Sequence, residues 1–264
     1  MDILERINES KRAIVAEARL ARPIDMLERS IHFNRPVKSL SMAVRTSADH
    51  GIIAEFKRRS PSKGDIRASA RVADIIPGYV SAGAAAISVL TDGHFFGGSN
   101  EDLQQARALV QAPLLRKDFI IDEYQIFEAR AIGADAILLI AASLGQQELK
   151  RFTATAHGIG LEVLLEVHDL IELEIGLEAG ADLIGVNNRD LRTFRTDLDT
   201  SRTLIRHIPS TITAISESGI ETPEAIAELA AAGYSGFLIG QHFMEQADPA
   251  AACDRLIHSI LQGS

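Results

Sequence analysis

Short runs of β-branched and aliphatic residues recur eight times along this chain, each followed by an amphipathic stretch at helical spacing. The runs are Gly51 to Phe56, Ala85 to Leu90, Pro113 to Arg116, Ala136 to Ile140, Glu162 to Glu166, Leu183 to Val186, Thr213 to Ser216, and Gly236 to Ile239. Helical periodicity marks Arg71 to Ala82, Asp102 to Val110, Asp122 to Ile132, Gln146 to Ala156, Leu170 to Ala179, Ser201 to His207 and Pro223 to Ala232. Strands alternating with helices pair in parallel, since each crossover helix returns the chain to the same end of the sheet. Eight units of similar length, with no G-x-G-x-x-G turn after the first run, favour closure into a barrel over an open doubly wound sheet.

The punctuation residues agree with that period. Asp122, Asp169 and Thr222 stand where a side-chain oxygen can accept from the exposed amides of a first helical turn. Gly83, Gly133, Gly180 and Gly233 each end a helix just before a strand, at intervals of 50, 47 and 53 residues, two strand–helix units per interval. The expectation is an α/β fold, a single (β/α)8 TIM barrel spanning residues 1–264, with residues 1–48 as a helical N-terminal extension. Within that extension a helix from Ile3 to Arg19, with Ile7, Ile14 and Val15 on one side, is expected to cover the bottom of the barrel.

Of the 264 residues, 46% are hydrophobic and 24% charged, which supports a large core and argues against disorder. A net charge of −9 offers no broad basic face to nucleic acid, though it leaves room for a small anionic ligand where cations cluster. The single cysteine, Cys253, cannot form an internal disulfide and reads as a small core residue of a reducing compartment. The start is charged and no stretch approaches the roughly 18 apolar residues of a membrane span, so a cytoplasmic location with no membrane partner is expected.

Catalytic residues of such barrels project from the C-terminal ends of the strands. Here those ends carry Glu55-Phe56-Lys57, Arg116-Lys117-Asp118, Glu166, Asn187-Asn188-Arg189 and Glu217-Ser218-Gly219. Charges stacked behind apolar runs must pair or face a wet pocket, and strand ends converge on one cavity; for Arg116 alone, simple pairing is the better reading. The loops after the last two strands, Glu217-Ser218-Gly219-Ile220 and Ile239-Gly240-Gln241-His242, suit a phosphate held by backbone amides. The basic stretch Lys57 to Gly64 reads as a lid and a local anion trap. His94, His157, His168 and His242 are scattered without metal-ligand spacing, so no metal is expected. Phe95 and Phe96 could cover the rim or stack on a planar ligand.

These residues resemble the indole-3-glycerol-phosphate synthases of tryptophan biosynthesis. The resemblance runs through nearly the whole chain, in the blocks Ile53 to Gly64, Leu115 to Ile120, Leu165 to His168, Ile184 to Leu191 and Ser216 to Ile220. It implies a carboxy-lyase without cofactor or metal. The implied partner is a small anionic substrate, 1-(2-carboxyphenylamino)-1-deoxyribulose 5-phosphate. By position it implies Lys117 as general acid of ring closure, Glu166 as its carboxylate partner, and Lys57 in dehydration. Glu55, Asn187, Arg189 and Glu217 would bind the sugar hydroxyls and carboxylate and orient the lysines. Ser60, Ser218, Gly219, Gly240 and Gln241 match phosphate-binding positions, Phe95 and Phe119 an apolar slot for the aromatic ring, and Leu238 is counted with the substrate contacts. One departure is Gln241-His242-Phe243-Met244, where the family has small residues before a Leu-Met pair.

The residue types suit that chemistry. An ammonium within hydrogen-bond range can protonate a ketone under attack, and Glu55, Glu166 and Glu217 would oppose the fall in lysine pKa that an apolar site causes. The alternatives are another phosphate-binding barrel, such as a phosphoribosylanthranilate isomerase, or a barrel that binds a phosphorylated ligand without chemistry. A monomer or weak homodimer is expected.

Overall fold

The barrel follows directly from strands that are apolar on both faces. In a computed structural model describing residues 3–48 and 50–263, eight parallel strands close on themselves. They are β1 (Ile52–Phe56), β2 (Ala86–Leu90), β3 (Leu114–Lys117), β4 (Ala136–Ile140), β5 (Glu162–Val167), β6 (Leu183–Asn187), β7 (Thr213–Glu217) and β8 (Gly236–Ile239). Each pairs with its sequence neighbours, and β8 returns to β1 through Ile52–Phe237, Ile53–Leu238 and Ala54–Ile239. The main helices are α1 (Ile3–Ala21), α2 (Leu40–Thr46), α3 (Val72–Ser81), α4 (Asn100–Leu109), α5 (Glu123–Ile132), α6 (Gln146–Gly158), α7 (Leu170–Ala179), α8 (Asp199–Leu204), α9 (Pro223–Ala232) and α10 (Pro249–Gly263). No helix among the described residues is long and apolar enough to cross a membrane.

Period-two alternation divides each strand between two cores. On β1, Ile52, Ala54 and Phe56 face the helical layer, whereas Ile53 joins Ala86, Leu115, Leu138, Leu164, Leu183, Ile215 and Leu238 inside the barrel. Each such fully buried aliphatic side chain contributes roughly 1.5–3 kcal/mol over its exposed state, enough to fix the register of every strand. Continuing the inward row towards the C-terminal ends leads from these aliphatics to Glu55, Lys117, Glu166, Asn187 and Glu217.

The helix ends form as their residues dictate. Asp122, Asp169 and Thr222 accept from the amides of Tyr124 (2.8 Å), Glu172 (2.9 Å) and Ala225 (3.3 Å). The four evenly spaced glycines all take positive φ at helix C-termini, the left-handed turn that feeds the next strand.

The N-terminal extension docks differently from expectation. It is α2 that plugs the bottom: Leu40 and Val44 pack into the inner core, with Val44 against Gly51 at the start of β1. Helix α1 lies at the opposite end, where Ile3, Leu4 and Ile7 line the same cleft as the strand-end charges. The buried stripe of α1 is Leu4, Ile7, Lys11 and Val15, while Ile14 is exposed. Lys11 supplies the physical reason. Its ammonium is buried and must find carboxylates, and it finds Asp92 (3.0 Å) and Asp118 (2.6 Å) just beyond the C-terminal ends of β2 and β3.

Candidate active site

The inward-facing polar layer is an electrostatic chain. Lys117, at the end of β3, places its ammonium 2.9 Å from one Glu166 oxygen and 3.3 Å from a Glu217 oxygen. The other Glu166 oxygen accepts from the Asn187 amide at 3.1 Å. Lys57 donates to Glu55 at 2.7 Å, and Glu55 also accepts from Ser88. Two missing side chains make room for these acids. A Cβ at Gly185 would sit 2.2 Å from a Glu217 oxygen, and one at Gly240 would sit 2.5 Å from a Glu55 oxygen.

Burial and charge then sort the titrating groups. Desolvation alone would lower the Lys117 pKa, but the attraction of Glu166, Glu217 and Glu55 outweighs it and holds the ammonium firmly protonated. Burial pushes Glu166 up, yet Lys117, His168 and the Asn187 hydrogen bond bring it down below the usual carboxylate range. Glu217 has less compensation. Burial and the repulsion of Glu166 and Glu55 outweigh Lys117 and raise it to about 7, and its second oxygen, buried, has no hydrogen-bond partner. One wall therefore presents a fixed ammonium, a fixed carboxylate and a carboxyl group able to change state near neutrality.

A cleft opens over this layer. Its lining includes Glu55, Lys57, Ser60, Lys117, Phe119, Glu166, Asn187, Arg189, Glu217, Ser218, Gly219, Leu238, Gly240 and Gln241. Ser218 and Gly219 take consecutive left-handed conformations (φ 68° and 74°), turning that loop sharply beside the cleft. For Ser218 this costs on the order of 1 kcal/mol or more, a strain that clusters at ligand-gripping turns. Arg189 spans three loops, reaching Ser62 Oγ (3.4 Å), Phe194 O (3.4 Å) and Gln241 Oε1 (3.3 Å). These long bonds can shorten onto an anion. Backbone amides, a guanidinium and two ammonium groups thus share a cavity with apolar Leu90, Phe96, Phe119 and Ile140. The combination suits an aromatic molecule with anionic ends.

Several expectations need correction. Phe95 does not line the cleft; its ring packs edge-on against His94, while Phe96 lines it and packs on Phe119 with centroids 5.7 Å apart. The short helix Gly93–Phe96, capped by Asp92, fixes which of the two rings turns inward. Nor does the stretch after β1 concentrate four cations on the cleft. Arg58 is held by both oxygens of Asp102 (2.6 and 2.8 Å) and stacks over Phe56, Arg59 pairs with Asp65, and Lys63 with Glu245. Only Lys57 of the four lines the cleft, together with Ser60, Pro61 and Ser62. Arg116 is buried against Asp118 and Glu128, the pairing role expected for it alone. Sequence reasoning missed Leu191, Phe194 and the α1 residues Ile3, Leu4 and Ile7. A lysine on the apolar stripe of α1 was the available signal for the last three. Among the described residues, no group of three or more His, Cys, Asp or Glu is arranged to hold a metal.

Comparison with known proteins bears on the same residues. The family model described as indole-3-glycerol phosphate synthase matches residues 4–256. This chain belongs to the indole-3-glycerol phosphate synthase family. The indole-3-glycerol phosphate synthase of Bacteroides thetaiotaomicron is 47% identical to it over 98% of this chain and 99% of the relative. That of Laribacter hongkongensis is 46% identical over 97% and 98%. Solved structures share the fold at much lower identity. 3-Hexulose-6-phosphate synthase from Salmonella typhimurium aligns with a TM-score of 0.62 at 14% identity, over 81% of this chain and all of that one. A tryptophan synthase α-subunit from Pyrococcus furiosus aligns at 0.59 and 13%, over 81% and 98%. The indole-3-glycerol phosphate synthase match runs through α1 as well as the barrel, so the helix over the cleft lies within the family's own extent.

Proposed function

We propose that the chain closes, decarboxylates and dehydrates 1-(2-carboxyphenylamino)-1-deoxyribulose 5-phosphate to indole-3-glycerol phosphate, carbon dioxide and water. The observation that carries this reading is the Lys117 ammonium shared by Glu166 and Glu217 in the same cleft as a second ammonium, Lys57. The substrate's phosphate would meet the turn at Ser218 and Gly219, the loop at Gly240 and Gln241, and Ser60, while its aryl ring would lie against Phe96 and Phe119.

The chemistry follows from these placements. As the ring carbon bearing the carboxylate attacks the ketone carbon, the ketone oxygen accumulates negative charge and Lys117 delivers a proton to it. The carboxylate then leaves as carbon dioxide, and the electrons of the breaking bond flow into the adjacent iminium, so the substrate is its own electron sink. In the last step the new hydroxyl departs as water with a proton from Lys57, and a carboxylate of the cluster accepts the neighbouring proton. One proton from solvent and the one taken up by that carboxylate return Lys57 and Lys117 to their ammonium forms; Glu166, held ionised, keeps the Lys117 ammonium in place, and Asn187, Glu55 and Arg189 orient the hydroxyls and carboxylate. On this reading the chain works as one barrel domain, a cytoplasmic monomer or weak homodimer needing no metal.

The decisive test mixes purified protein with this substrate, without added metal, and follows indole fluorescence and carbon dioxide release. The chain contains no tryptophan, so the optical background is low. Stoichiometric appearance of both products is expected. Binding without turnover would instead make this a ligand-holding barrel.

A further inference from the structure

Just outside the cleft, two carboxylates converge on one imidazole. His168 follows β5, and its Nδ1 lies 3.0 Å from Glu172 on α7, whose same oxygen also accepts the His168 backbone amide at 2.8 Å. On the other edge of the ring, Nε2 lies 3.5 Å from the Glu166 oxygen that also faces Asn187. Nε2 is buried and has no hydrogen-bond partner. A neutral ring carries one proton, so one of its nitrogens would turn a lone pair towards a carboxylate. Only the doubly protonated ring presents a donor to both.

We propose that His168 is a positioning residue: its imidazolium, wedged between Glu172 and Glu166, fixes Glu166 as the ionised member of the Glu166–Glu217 pair. The inference rests on the reading of Glu166 given above. Both glutamates compete for the Lys117 ammonium, at 2.9 and 3.3 Å, and a shared cation alone would leave the proton distribution nearly balanced. A second cation behind Glu166 breaks that balance. Glu166 is then held from both sides, and Glu217 takes up the shared proton. The charges facing the ring support this. Burial opposes protonation of His168, but Glu172 from α7, Glu166 from β5 and Glu217 from β7 together raise its pKa, with Lys117 of β3 one step further away.

The test uses the full-length protein with labelled histidine. The His168 ring resonance, assigned by its loss in His168→Gln, is titrated by NMR in wild type, Glu172→Gln and Glu166→Gln. A midpoint above the ordinary value of about 6.5 that falls in both variants is expected. A midpoint at or below that value, or one unmoved by Glu172→Gln, would overturn the proposal. The second readout is the pH dependence of kcat/KM. Removing the cation in His168→Gln should move the near-neutral inflection of the glutamate pair to higher pH by on the order of one unit, with kcat affected more than KM. A uniformly lower kcat with an unmoved inflection would mean that His168 only packs. Should His168→Gln fail to fold, Glu172→Gln carries both readouts. If Glu166 were not part of the chemistry, Glu166→Gln would keep its turnover while the His168 midpoint still fell, so the two failures are distinguishable.

Discussion

Lys11 of α1 reaches to 2.6 Å from Asp118, the residue next to Lys117, and its ammonium also lies 3.0 Å from Asp92. Asp92 caps the short helix that turns Phe96 into the cleft, so one buried ammonium ties the N-terminal helix to two walls of the site. Breaking a buried pair by removing one partner costs about 3 to 5 kcal/mol, because the remaining charge is left uncompensated. Lys11→Met should therefore lower unfolding stability by about that amount and raise KM, as α1 loosens over the cleft. Denaturant titration and steady-state kinetics on one preparation check both, and unchanged stability would show that Asp92 and Asp118 do not need the lysine.

Lys117→Met removes the positioned acid and should lower kcat by at least about a hundredfold. Retention of wild-type kcat would remove Lys117 from the mechanism. Glu166→Gln should lower kcat more than KM, and a change confined to KM would reassign Glu166 to binding.

The raised pKa of Glu217 sets a pH dependence of stability whose sign is fixed. Its folded pKa of about 7 lies above the ordinary 4.5, so as pH rises between these values the unfolded chain gives up the proton while the folded one keeps it. Stability contributed by this group is full below pH 4.5 and lost as pH rises through 7. Glu217→Gln has no such loss. Unfolding stabilities of variant and wild type should run parallel below pH 4.5, diverge between 4.5 and about 7 and run parallel again above that, the variant having gained about 3 kcal/mol relative to wild type while losing activity. Parallel curves throughout would mean that Glu217 titrates normally.

Phe95 and Phe96 are neighbours with opposite environments, and paired substitutions separate them. Phe96→Ala should reduce kcat/KM roughly tenfold, the loss of an aryl contact in an apolar slot. Phe95→Ala should leave it within about twofold, since its ring lies outside the cleft. Equal effects would show that the Gly93–Phe96 helix rearranges on binding.

Much of the site was legible because barrel geometry turns sequence position into spatial position. Glu55, Lys117, Glu166, Asn187 and Glu217 each follow an apolar run, and all meet in one cleft. The resemblance put Phe95 in the aryl slot, whereas Phe96 lines the cleft; both rings sit in a loop where no strand period fixes which turns inward, and a four-residue helix decides it. Arg58 and Arg59 looked like part of an anion trap because composition records charge but not the acids that claim it, Asp102 and Asp65.

The chain itself determined the eightfold alternation, the capping of the helices and the row of charges at the strand ends. All of these depend on residues a few positions apart. Tertiary docking alone decided that α1 covers the catalytic mouth while α2 plugs the far end. Those choices are set by contacts between residues distant in sequence, Lys11 with Asp118 and Val44 with Gly51, and no local period encodes which end of a closed barrel a helix will cover.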